Sequence, residues 1–351
     1  MVTDWRGILN GKRRDLVGRL SRCILHPLSW IYRIGVRYRN DAFATNRRPV
    51  VHVDARVISI GNITTGGTGK TPLVIWLVKY LESTAHRVAI VSRGYGAKPG
   101  AMNDEAKEMA ICLPGIPQVQ NANRIAAAQQ IIASHGSQVI VLDDGFQHRG
   151  IYRDLDIALI DATCPWGFGY LLPRGLLREP REQLSRAAVI VLTRSNAVQE
   201  SVREEIRLIA NRCAPDAVWV ETSHAPLRLI GIQGDTQSLE LVSCKRVFGF
   251  CAIGNPQAFR QLISELGADV VGWKEFPDHH HFTMKELTEL QCEARELSAS
   301  YLLCTQKDLV KLPQNSMDSI AVLAVAIELR ILVGEAKLLE AIDAAAGSGS
   351  R

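Results

Sequence analysis

The run Gly61-Asn-Ile-Thr-Thr-Gly-Gly-Thr-Gly-Lys-Thr71 carries the clearest chemical signal in the sequence. Glycines let successive backbone N–H groups turn inward on one anion, and a helix that follows adds its positive N-terminal end. The spacing predicts a phosphate-binding loop over Thr64, Thr65, Gly66, Gly67, Thr68, Gly69, Lys70 and Thr71. In it Lys70 reaches the β- and γ-phosphates of a nucleotide and the Thr71 hydroxyl holds Mg2+. Thr64 stands where the strict pattern has glycine, but the phosphate-contacting part is intact. Further along, the apolar run QVIVLDDG ends in Asp143 and Asp144, where P-loop proteins set the carboxylate that organises Mg2+. Two adjacent acids ionise together only with a cation nearby. The competing reading is a plain Asp-Asp-Gly turn after a strand.

Two other nucleotide-binding classes fit less well. Membrane-associated partition ATPases carry a lysine just before the paired glycines, where this chain has Thr65. GTPases read guanine with [NT]-K-x-D, and Thr305-Gln-Lys-Asp308 fails that spacing. ATP is the expected nucleotide.

These residues need a scaffold that brings strand ends together. From Arg56 onward, short apolar runs alternate with helical segments: RVISIGN, a helix from Thr71 to about Glu82, RVAIVSRG, a helix over Ala122 to Ser134, QVIVLDDG, DIALIDA and AAVIVLT. Strands apolar on both faces, separated by helices, predict an α/β fold: a P-loop NTPase-like parallel sheet flanked by helices. A polar stretch near residues 226–245 reads as a linker, and a second α/β set over 246–346 as a smaller C-terminal domain with a last helix from Glu335 to Ala346. The kinase core is expected over 51–225.

Residues 1–50 carry eleven Lys/Arg against three Asp/Glu, which leaves the rest of the chain slightly acidic. There, Leu16, Leu20, Ile24, Ile31, Ile34 and Tyr38 form an apolar stripe, with Arg19, Arg22, Arg33 and Arg37 on the opposite helical face and Pro27 as an expected kink. Such a helix suits an anionic membrane surface, and equally suits docking on the protein's own core. Because the basic residues track an apolar stripe, nucleic acid is not an expected partner. No 18-residue apolar run predicts a membrane-crossing helix. The eight cysteines lack metal-ligand spacing, which fits a reduced compartment.

Several blocks occur in order: SIGNITTGGTGKTP, SRGYG at 92–96, NDE at 103–105, LDDGFQHR at 142–149, RDLDIALID at 153–161, LPRGLLREP at 172–180, FPDHH at 276–280 and TQKDLVKL at 305–312. On these the chain resembles the tetraacyldisaccharide 4'-kinase family. The resemblance implies transfer of the γ-phosphate of ATP, with Mg2+, to the 4'-hydroxyl of an acylated glucosamine disaccharide 1-phosphate in lipid A assembly. It implies work at the cytoplasmic face of a bacterial inner membrane; no obligate protein partner is evident in the sequence. It also implies that Asp104 and His279 act together as the base, that Asp144 and Lys70 are catalytic, and that Thr71, Asp143 and Glu179 hold the metal. Arg178, Gln147 and His148 would contact substrate. If the C-terminal domain closes over the core, Lys307, Asp308 and His279 would join the site only when substrate is bound.

A membrane-associated P-loop ATPase switch is the alternative from another class, and a soluble small-metabolite kinase is a third.

Overall fold

The computed structural model describes residues 5–94, 102–278, 280–313 and 320–347. In chain order the elements are α1 (Trp5–Leu9), α2 (Leu16–Ala44), β1 (Arg56–Asn62), α3 (Lys70–Ser83), β2 (Val88–Ser92), α4 (Asp104–Cys112), β3 (Gln118–Gln120), α5 (Arg124–His135), β4 (Val139–Asp143), β5 (Leu155–Asp161) and β6 (Val189–Thr193). There follow α6 (Glu200–Cys213), β7 (Val218–Gly231), β8 (Thr236–Gln237), β9 (Arg246–Cys251), α7 (Pro256–Glu265), β10 (Asp269–Glu275), α8 (Met284–Glu296), β11 (Tyr301–Thr305), α9 (Gln306–Leu309), β12 (Ala321–Val333) and α10 (Glu335–Ala346).

The chain forms two compact units. The first holds residues up to Gly94, Ile116–Ser223, and everything from Arg330 onward. Its strands pair in the order β7-β6-β5-β1-β4-β2-β3, in parallel throughout. β1, β4 and β5 are buried along almost their whole length, as a sheet covered on both faces requires. With β4 and β5 on either side of β1, successive crossovers leave in opposite directions and open a crevice at the carboxyl ends of these strands.

The second unit holds the α4 segment and His224–Leu329. β10, β9, β11 and β12 form its parallel sheet, around a core that includes Phe248, Phe250, Phe282, Leu290 and Leu302.

These boundaries correct the domain reading in three places. The polar stretch at 226–245 is not a linker: Leu229 and Val242 are wholly buried, and Gly231-Ile-Gln-Gly234 turns β7 into antiparallel β8. Its polar residues serve a hairpin. The α4 segment, expected within the core domain, belongs to the second unit. The last helix returns to the first unit, where Tyr80 Oη of α3 donates to Asp343 Oδ1 of α10 at 2.8 Å.

α2 runs unbroken through Pro27, whose missing N–H removes one helix hydrogen bond. Asp15 caps it by accepting from Gly18 N at 3.0 Å. No described helix is long and apolar enough to cross a membrane.

α3 carries the phosphate loop's end and buries Leu73, Val74, Leu77, Val78 and Leu81. Leu77→Ala is expected to lower folding stability by about 2–5 kcal/mol, the range for a large-to-small change in a closed core. Urea unfolding checks this, and a loss below about 1 kcal/mol would mean the site is less tightly packed than its burial indicates.

Candidate active site

β1 delivers the chain into the phosphate loop. Its register pairs Ile60 with Asp143 of β4, so the loop and the paired acids leave neighbouring strand ends side by side. Gly61 is required by close approach: a Cβ there would lie 2.6 Å from the backbone and Cβ of Phe146. Gly69 sits at φ 84° directly before α3, a conformation that glycine adopts without steric cost. The first turn of α3 has no acidic residue and no side-chain cap, leaving its amide groups for an anion. Gly66 also has positive φ, and the Thr68 Oγ1 is buried without a hydrogen-bond partner among the described residues.

At the end of β4, Asp144 takes a left-handed backbone with φ 53°. Its carboxylate accepts two hydrogen bonds from the Arg178 guanidinium, at 2.7 and 2.9 Å, and stands 3.5 Å from Lys70 Nζ. Burial by itself would raise the Asp144 pKa, but the Arg178 hydrogen bonds and the Lys70 charge hold it well below the usual carboxylate range. Asp144 is therefore ionised throughout the physiological range. Asp143 is almost fully buried beside it. Lys70 Nζ also donates to Asn62 Oδ1 at 3.4 Å.

The phosphate loop is held from two sides. On one, Thr65 N donates to Leu176 O and Arg178 N donates to Ile63 O, each at 2.7 Å, so the LREP segment lies alongside residues 63–65. On the other, beyond β6, Thr193 Oγ1 donates to Thr68 O at 2.8 Å. Next to it, Arg194 donates to Gly67 O at 2.7 Å while ion-paired with Asp161. Asn62, Thr193 and Arg194 were not singled out in the sequence. Their signal was positional, since each lies at or just past the carboxyl end of a buried strand.

Gln147 and His148, expected at the substrate, both follow Asp144 closely in the chain. Gln147 Nε2 donates to Asn62 O at 2.8 Å, bracing the start of the loop. Burial pushes the His148 imidazole down to about 4, and Arg124, Arg153 and Arg93 add to the effect, so it is neutral at pH 7. Burial and the like charge of Arg93 lower the pKa of Arg124, against the opposing charges of Asp144 and Asp143. Cations thus surround the two acids.

Glu179, expected as a metal ligand, is held by two guanidinium groups. It is wholly buried, and its two oxygens are taken by Arg39 of α2 at 2.5 Å and by Arg186.

In the second unit Asp104 is the first residue of α4, and Asn103 caps that helix by accepting from Ala106 N at 3.0 Å. One turn on, burial pushes the Glu108 carboxyl up to about 7, against the pull of Lys307. His279 lies outside the described residues. Its neighbour His280 stacks on Phe276 and pairs with Glu286 at 3.0 Å. Asp308 and Lys311 form a wholly buried ion pair at 3.0 Å. Asp308 also accepts from Ala252 N and Thr305 Oγ1. This pair pins the end of β9 to α9, a structural task, since a buried charge needs every partner it has.

The donor set suits Mg2+. That ion keeps several waters and needs only one or two carboxylates beside the substrate's phosphates, and the first unit offers Thr71 with Asp143 and the ionised Asp144. A phosphate loop leading from a parallel strand into a helix, paired acids on the adjacent strand and cations around them define a P-loop phosphotransferase. The tetraacyldisaccharide-1-P 4'-kinase family profile matches residues 21–346, and the chain belongs to that family. A tetraacyldisaccharide 4'-kinase of Syntrophus aciditrophicus is 35% identical over 332 residues, covering 88% of this chain and 89% of the relative. One from Anaeromyxobacter sp. strain Fw109-5 is 36% identical over 336 residues, covering 91% and 90%. The crystal structure of the "apo" form of Aquifex aeolicus LpxK in complex with ATP superposes with a TM-score of 0.75 at 27% identity, over 93% of this chain and 99% of that one.

His148 generates a pH prediction. Its folded-state pKa of about 4 lies below the unfolded value of about 6.5, so between these limits the unfolded chain binds more protons and folding stability falls as pH drops. His148→Gln should flatten the part of the stability profile between about pH 6.5 and 4. Urea titrations across that window measure it, and an unchanged slope would assign the pH dependence to other groups.

Proposed function

We propose that this chain transfers the γ-phosphate of ATP to the 4'-hydroxyl of a tetraacyl glucosamine disaccharide 1-phosphate, working from the surface of the bacterial inner membrane on its cytoplasmic side. The observation that supports the chemistry most directly is the packing of Lys70, Asp144 and Arg178 at the mouth of the phosphate loop. In phosphoryl transfer the protein's share is positioning and charge stabilisation. The loop amides and Lys70 bind the β- and γ-phosphates, while Arg194 and Thr193 keep the loop's shape. Thr71 with Asp143 and Asp144 would hold Mg2+, which supplies neutralisation of phosphate charge. Arg178 keeps Asp144 ionised for that purpose. A sugar hydroxyl is a weak nucleophile at neutral pH, so the acceptor's proton needs a base. On the family resemblance, Asp104 with His279 fills that role.

The membrane part of the proposal is supported by the way α2 is turned. The face packed inward is mostly small or polar: Gly18, Ser29, Asn40 and Ala42 are buried, with Val36 the one larger apolar residue among them. Leu16, Leu20, Ile24, Ile31, Ile34 and Tyr38 are each more than half exposed. A helix docked for its hydrophobicity would present the opposite face to the core. The outward stripe and the basic charge around it suit an anionic bilayer surface, where an acylated acceptor resides.

Label from γ-phosphate-labelled ATP should appear in the disaccharide lipid in micelles, and Lys70→Ala should abolish it. ATP hydrolysis with no labelled lipid would favour the nucleotide-switch alternative. Asp104→Ala should lower kcat by about a hundredfold or more with little change in the KM for ATP, since a base acts in the transition state. Normal turnover in that variant would remove Asp104 from the site. For the membrane, Ile24→Asp with Ile31→Asp should abolish sedimentation with anionic phospholipid vesicles while circular dichroism stays native. Unchanged partitioning would exclude the stripe as the anchor.

A further inference from the structure

Arg178 and Glu179 are neighbours in the chain with opposite tasks. Arg178 grips Asp144 through two hydrogen bonds, whereas Glu179 is wholly buried between Arg39 and Arg186. Arg186 is fixed independently: it donates to Phe146 O at 3.2 Å and its guanidinium lies 4.2 Å from the centre of the Phe146 ring, in the turn that follows Asp144. Arg39 comes from α2. The same helix reaches the strap again through Tyr32, whose hydroxyl donates to Arg178 O at 3.1 Å, and through Ser29, whose hydroxyl donates to Leu171 O at 2.9 Å. Tyr32 and Arg39 are seven residues apart, two helical turns, so they share one face. The dipeptide that positions the Asp144 carboxylate is therefore itself held by α2.

We propose that α2 is a positioning element of the phosphoryl-transfer site, with Arg39 and Glu179 as positioning residues that act through Arg178 on Asp144 and Lys70. The inference rests on the kinase reading and extends it from the phosphate loop to the N-terminal helix. The physical ground is charge balance. A buried carboxylate that loses one of two cations is strongly under-compensated, and it draws on another. Arg178 already feels the Glu179 charge. Any swing of Arg178 toward Glu179 releases Asp144, whose orientation depends on the two hydrogen bonds from that guanidinium. Arg39 thus prevents a competition for Arg178, and the face of α2 opposite the apolar stripe becomes part of the catalytic support.

The test uses the full chain in detergent micelles with saturating lipid acceptor and Mg-ATP. Arg39 is one-third exposed, so Arg39→Gln should fold, which a thermal melt checks. Its kcat is expected to fall about tenfold, equivalent to about 1.4 kcal/mol in the barrier, with both KM values within about twofold. Arg39→Lys, which retains the charge, should recover most of the loss. In an Arg178→Lys background the same Arg39→Gln change should have less than about a twofold effect, because the two act on one path. An unchanged kcat, a full tenfold loss in both backgrounds, or a loss confined to the KM for lipid would each overturn the proposal, the last assigning α2 to acceptor capture alone. The Arg178 Nε–H resonance, assigned by its disappearance in Arg178→Lys, gives a readout independent of turnover. It should move in Arg39→Gln. A parent chain that labels no lipid would count against the kinase reading, while a stationary Arg178 resonance would count against the coupling.

Discussion

The Asp144 carboxylate, held between Arg178 and Lys70 at the end of β4, is the interaction on which the rest of the first unit depends. A half-buried acid must be ionised to organise a divalent cation, and cations fixed in place around it keep it so. One is Lys70, the loop lysine itself, set by the start of α3. The other is Arg178, and fixing it recruits the LREP strap, Glu179, Arg186 and α2. Electroneutrality thus sets a chain of dependencies that runs from nucleotide phosphate to the protein's N-terminal helix. The acid at the far end of that chain, Glu179, has no solvent exposure at all.

Legibility of this arrangement in the sequence followed the range of the forces involved. The phosphate loop, the acids after β4 and the parallel α/β pattern are local or strictly periodic, and all were readable: α3 begins one residue before the expected Thr71. The domain boundaries were less so. Polarity between 226 and 245 marks a hairpin as well as it marks a linker, and only the burial of Leu229 and Val242 separates the two. Glu179 was expected as a metal ligand on the family resemblance of the LREP block. The guanidinium groups that hold it are 140 and 7 residues away in sequence, and no local pattern announces a pairing across 140 residues. Arg194 escaped notice for the same reason.

α2 shows how amphipathicity can be correctly recognised yet leave the choice of face undecided. The stripe and its spacing were evident, but the periodicity of an apolar face is the same whether it meets a core or a bilayer. That the stripe faces outward follows from the opposite side. Gly18 admits no added Cβ, which would lie 2.5 Å from Arg13 O, and Ser29, Tyr32 and Arg39 each spend their polar group on the LREP strap or the residues leading to it. Small and hydrogen-bonding residues, ordinarily taken as the solvent face of a helix, are here the docked face.

The return of α10 to the first unit has a bearing on how the protein comes to be made. The unit that contains the phosphate loop is discontinuous in the chain, with most of the second unit translated before its last helix. Domains tend to fold as they leave the ribosome, amino end first. Here β1 and its neighbours emerge early, but the side of α3 that meets α10 through Tyr80 and Asp343 stays uncovered until more than a hundred further residues have been synthesised. The nascent protein therefore passes through a stage in which the second unit is complete enough to collapse while the nucleotide-binding half still lacks a piece of its wall.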